Sequence, residues 1–144
     1  MRKLTDSERA KHTLWENAQI KCVLRKGNVQ YQSEKRGVAP MLDFLEQGLE
    51  LQGFCAADRV VGKATAFLFV LAGVSSVYGE VMSEGACKVL SQYGVDFQAK
   101  EIVPYIINRR GDGACPMETA VREINDPNEA YLAVKKTQKM LSKQ

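Results

Sequence analysis

The sequence predicts an α/β protein, a three-layer α/β/α sandwich around a mixed sheet, and three observations predict it. Short apolar runs of strand type alternate along the chain with helical segments of about ten to fourteen residues, the order that builds layered α/β folds. One of those runs, GFCAA at 53–57, is short and apolar throughout, as buried strands are, and VSSVYGEV at 74–81 reads as the next strand. The stretch QIKCVLRKGNVQYQS instead alternates on either side of Gly27-Asn28, which is the pattern of an antiparallel hairpin. At 144 residues, 45% apolar and 26% charged, the chain can bury one sizeable core. It shows no repeat, linker or low-complexity tract, so residues 1–144 read as one domain.

The elements follow in order. Thr5 and Glu8 form a capping-box pattern ahead of an amphipathic helix reaching to about Asn17. The hairpin comes next, then Arg36-Gly37 and a helix in which Pro40 suits the first turn and Gly48 the end. GFCAA leads into a helix over 59–72 that stops at Gly73. After the strand at 74–81, Ser83 caps a helix ending at Gly94, and a strand occupies 95–103. A glycine-rich stretch runs to Cys115-Pro116, where a short helix begins. Asp126-Pro127 caps and starts the last helix, 127–142.

Several function classes are set aside on composition. A net charge of +3 with dispersed Lys, Arg and aromatics gives no basic stripe, so no nucleic acid is expected, and KKTQK at 135–139 reads as a solvated helix face. The apolar run from Ala64 to Gly73 is about half of what spans a bilayer, and the first residues carry no secretory pattern. A cytoplasmic protein with no membrane partner is the expectation. Cys22, Cys55, Cys87 and Cys115 form no C-x-x-C pair and are expected as free thiols, the first three in the core. His12 is the single histidine, and no metal-ligand spacing or cofactor motif is present.

Ligands of open α/β sheets sit beyond the carboxyl ends of the strands. That rule selects the loops holding Arg36-Gly37, Asp58-Arg59 and Glu80 to Ser83. Asp58, as N-cap of the 59–72 helix, would contribute about 1 kcal/mol. Arg59 and Lys63 then share one helical face, where two cations beside the positive end of the dipole cost ~0.3–1 kcal/mol each. Gly62 on the same side costs ~1 kcal/mol relative to alanine. Three locally unfavourable choices on one face predict an anion bound there. The structural alternative is that Asp58 or Glu80 pairs with Lys63.

The segment NRRGDGACPMETA, 108–120, carries the other candidates. Pro116 at the first helical position makes Cys115 the N-cap and Glu118 the third helical residue. A thiol at a helix N-terminus near Arg109 and Arg110 is a candidate nucleophile, although no histidine is available as its base.

The segments RGVAPMLDFLEQG, AADRVVGKATAFLFVLAGVSSVYGEVMSE and VPYIINRRGDGACPMETAV resemble a prokaryotic family known as domain of unknown function 1893. The resemblance runs over about residues 18–126 and implies a cytidine deaminase-like fold, with 127–142 an added C-terminal helix. Its motif positions here are Arg36, Gly37, Asp58, Lys63, Asn108, Arg109, Cys115, Pro116 and Glu118. Zinc deaminases place H-x-E or C-x-E at one helix start and P-C-x-x-C at the next. This chain has Arg36-Gly37-Val38-Ala39 and Asp58 to Lys63 in those places, so zinc deamination is not expected and no other reaction is named.

Two readings result. In the first, a zinc-free deaminase-like pocket binds a small anionic or nucleotide-like molecule. Arg36, Gly37, Arg59, Gly62, Glu80, Asn108, Arg109 and Glu118 line it, and Lys63, Asp58 and Cys115 are placed for any chemistry. In the second, the scaffold is a non-catalytic structural or interaction module with a buried Asp58–Lys63 pair. A homo-oligomer is compatible with both.

Overall fold

A computed structural model describes residues 3–108, 110–111 and 113–143. Its elements are α1 (Asp6–Glu16), β1 (Cys22–Lys26), β2 (Val29–Ser33), α2 (Ala39–Glu46), β3 (Cys55–Val61), α3 (Lys63–Ala72), β4 (Ser76–Ser83), α4 (Glu84–Gln92), β5 (Asp96–Val103), α5 (Pro116–Ala120) and α6 (Pro127–Ser142). The five strands form one sheet in the order β2-β1-β3-β4-β5. The hairpin β1–β2 joins β3 antiparallel, whereas β3, β4 and β5 run parallel to one another through α3 and α4. The mixed α/β sheet predicted from the sequence is the one observed.

Alternation along the strands sorts side chains into two layers. Val23, Ala57 and Tyr78 join Ala10 and Leu14 of α1 in the smaller cluster. Cys22, Leu24, Ala56 and Val77 join α2, α3, α4 and α6 in the larger one. Helix α3 lies in the middle of that second layer, with Ala64 through Phe69 all buried, which is why its sequence is apolar all round. Among the described residues, no helix is long and apolar enough to cross a membrane.

The predicted caps are in place. The Glu8 N–H donates to Thr5 Oγ1 at 3.1 Å and the Thr5 N–H to Glu8 Oε1 at 3.0 Å. The Ala86 N–H donates to Ser83 Oγ at 3.1 Å, and the Glu129 N–H to Asp126 Oδ2 at 3.0 Å. Gly73, at φ 78°, ends α3 in the left-handed conformation that glycine adopts without steric cost.

One boundary differs from expectation, and the candidate site depends on it. Residues 59–61 are strand, not the start of a helix, and α3 begins at Lys63 with Gly62 as N-cap. The reason is that β3 is the central strand, paired on both sides. Asp58 lies opposite Cys22 of β1 and opposite Gly79 of β4, and β-branched Val60 and Val61 continue the parallel ladder to Val81 and Met82. Asp58 is therefore no helix cap. Arg59 and Lys63 do not share a helical face, and Gly62 is not a mid-helix glycine.

Candidate functional site

The candidates are spread over several elements: Asp58 and Arg59 lie within β3, Glu80 within β4, and Arg36-Gly37 between β2 and α2. Asp58, 3% exposed, uses Oδ1 to accept the Val60 N–H at 3.3 Å, while its Oδ2 is buried with no hydrogen-bond partner. It lines a cavity of about 290 Å³ together with Lys21, Arg36, Gly37, Arg59 and Val60. Arg36 is exposed, and its guanidinium holds no ion pair among the described residues. Lys21 donates one ammonium proton to the Ala18 carbonyl at 2.7 Å, leaving two donors for the cavity.

Burial raises the Asp58 carboxyl from 3.8 to about 7; the Val60 N–H, the Cys22 thiol, and the N–H and charge of Arg59 pull it back only in part. Across the ladder, burial and then the charge of Asp58 hold the Cys22 thiol well above its usual value. The folded-state value of Asp58 is thus raised above the unfolded one. Its unfavourable contribution is absent below about pH 4, grows through neutrality and levels off above about pH 7. Unfolding by urea should show the native protein less stable at pH 8 than at pH 5 by about 1–3 kcal/mol from this group. Asp58→Asn should flatten that dependence, and an unchanged slope would contradict the assignment.

Arg59 has its own site. Its guanidinium donates to the carbonyls of Leu14, Asn17 and Ile20 and pairs with Glu80 Oε1 at 3.0 Å. It ties the end of α1 to the sheet, and both charges predicted to face a ligand, Arg59 and Glu80, are spent on each other.

The head of α3 does hold an anion, but one supplied by the chain. Glu118 of α5 accepts the Lys63 N–H at Oε1, 2.7 Å, and the Ala64 N–H at Oε2, 3.0 Å. Two orphan donors and the positive end of the dipole are satisfied together. Gly62 makes room: a Cβ there would lie 2.5 Å from Glu118 Oε1. The Lys63 ammonium turns aside, donating to the Arg122 carbonyl at 3.0 Å and lying 5.8 Å from the centre of the Phe67 ring. No Asp58–Lys63 pair forms.

Cys115 is the N-cap of α5 in position but makes no side-chain cap bond; its N–H donates to the Ile106 carbonyl at 3.2 Å. With Gly37, Val60, Gly62 and Glu118 it lines a small cavity of about 50 Å³ that shares Gly37 and Val60 with the Asp58 cavity. Beyond Glu118 a wider recess of about 480 Å³ lies between Lys63, Ser83, Tyr105 and Arg122. Asn108 accepts the Gly111 N–H at 2.9 Å and shapes the loop instead of lining any of these spaces. Arg109 lies outside the described residues.

Cys115, Cys55 and Cys87 are partly exposed and Cys22 is buried. Iodoacetamide treatment of the native protein should therefore modify Cys115 and spare Cys22 until unfolding, read by peptide mass spectrometry. Equal rates at both would contradict the burial described. Lys21 is the residue that sequence reasoning missed. Its place beside Asp58 comes from the β1–β3 register, where Cys22 meets Asp58, and no spacing along the chain encodes that.

The family model described as "TM1506: Domain of unknown function (DUF1893)" matches residues 10–138. Among solved structures, the chain is similar to the crystal structure of a DUF1893 family protein, TM1506, from Thermotoga maritima at 2.70 Å resolution. The TM-score is 0.83 and the identity 24%, over 94% of this chain and 92% of that one. Among curated proteins, none matches.

Proposed function

This chain belongs to the DUF1893 family, and from that premise we propose that it binds a small anionic or nucleotide-like molecule in the cavity that β3 shares with Lys21 before β1 and Arg36-Gly37 after β2. The observation that carries the reading is Asp58, which lines a cavity together with Arg36 and Lys21 and whose Oδ2 is buried without a partner. A buried polar atom left unpaired costs about 1–3 kcal/mol, a cost that a bound guest would remove. The cations assigned to the guest are Arg36 and Lys21, because Arg59 is paired with Glu80 and Lys63 does not line this cavity. The zinc-ligand pattern of deaminases is missing from the sequence, and the reading invokes no zinc chemistry. Cys115 lines the neighbouring small cavity, which shares Gly37 and Val60 with this one, and is the side chain proposed to react with or be blocked by a guest.

Thermal-shift and equilibrium-dialysis measurements with nucleoside monophosphates, sugar phosphates and small carboxylates test the reading. A bound member should raise the melting temperature, and Arg36→Gln should weaken its binding about tenfold, as expected for a charge-assisted contact. If no member of these classes binds at millimolar concentration, the reading is wrong.

A further inference from the structure

Resting on that ligand-site reading, we infer that the guest presents an N–H donor, amine or amidine, to Asp58 Oδ2 and an anionic group to Arg36, so that a bare anion is refused. The lining supports two opposite demands within about 290 Å³. Arg36 is an exposed guanidinium with no ion pair among the described residues, and it attracts negative charge. Asp58 is a carboxyl group with one oxygen satisfied by Val60 and the other bare. Ionised, that oxygen is only an acceptor and repels an anion placed against it; a donor from the guest relieves it.

The groups that face Asp58 are few. Cys22 lies opposite it on β1, and Lys21 and Arg36 line the same cavity. The Arg59 charge is already paired with Glu80. None of these supplies the missing bond to Oδ2.

The two demands have a measurable consequence for protons. A donor bonded to Oδ2 favours the ionised carboxyl, so a guest of the inferred kind expels the proton that Asp58 holds part of the time near neutrality. A bare anion favours the protonated form and draws a proton in. The sign of proton exchange on binding therefore reports which group of the guest meets Asp58.

Isothermal titration at pH 7 in two buffers of different ionisation enthalpy reads that sign. The probes are paired with anions that carry no donor: cytidine, adenosine and guanosine 5′-monophosphates against methyl phosphate, and L-alanine against propionate. The first pair tests an amidine-type donor and the second an amine. The expected result is preference for the nitrogen-bearing member of one pair by at least about tenfold. Its binding should release roughly half a proton. In Asp58→Asn both the preference and the proton release should vanish, with the circular dichroism spectrum unchanged. In Arg36→Gln affinity should fall while proton release persists. Equal binding of methyl phosphate or propionate, or proton uptake, would overturn the donor inference and leave an anion site standing. Absence of heat with every probe at millimolar concentration would overturn the ligand reading and this inference together.

Discussion

Arg59→Met should lower stability by about 2–4 kcal/mol, which for a chain of this length is a fall in melting temperature of roughly 5–12 °C. The side chain joins the Leu14 carbonyl of α1 and the Asn17 and Ile20 carbonyls of the α1–β1 connection to the sheet and neutralises Glu80. Methionine retains the apolar stem and removes every one of those bonds. Glu80 is then left without a counter-charge in a half-buried position, which costs more than the pair itself contributes. Arg59→Lys should recover little of the loss, because an ammonium is a point charge and cannot reach acceptors spread over a planar fork. Hydrogen exchange should locate the damage: the amides of α1 should lose protection ahead of those of α3. A loss below about 1 kcal/mol, or uniform loss of protection across the fold, would contradict this account of Arg59.

Glu118→Ala and Gly62→Ala should each cost about 2–3 kcal/mol through the same pair of bonds. The first removes the carboxylate. The second places a methyl group 2.5 Å from where Oε1 sits and drives the carboxylate off the head of α3. Gly62 is extended, at φ −95°, so alanine meets no backbone strain there and the loss is specific to Glu118. The discriminating measurement is the double variant. If the two changes act through one interaction, Gly62→Ala/Glu118→Ala unfolds at the same urea concentration as either single variant. Additive losses would show that Gly62 serves some other purpose.

Much of the fold was legible because its signals are local. The Thr5–Glu8 box, the Gly27 turn, the Ser83 and Asp126 caps and the Gly73 stop each depend on a few adjacent residues, and each forms as read. The misread boundary at 59–61 has the opposite character. Asp58 followed by Arg59 and an apolar run has the appearance of a cap and first turn, and only pairing to both β1 and β4 makes it a strand. The site was legible to the same extent. The tension inferred at the head of the apolar helix does not exist, since Arg59 is in β3 and Gly62 precedes α3. What binds there is the Glu118 carboxylate, on the free N–H groups of the first turn, and no pattern linked it to Lys63. Asp58, which the sequence offered mainly as a cap, holds the unsatisfied oxygen instead.

The tie between Lys63 and Glu118 spans 55 positions of the chain. During synthesis the central strands and α3 emerge well before α5, so the first turn of that helix must wait, with its amides solvated, until most of the polypeptide has left the ribosome. Contacts of such long sequence separation form late and slow the search for the native topology. A shortened chain ending before Glu118 would retain every strand and still carry an unfinished centre, which makes α5 a keystone for maturation and not an appendage.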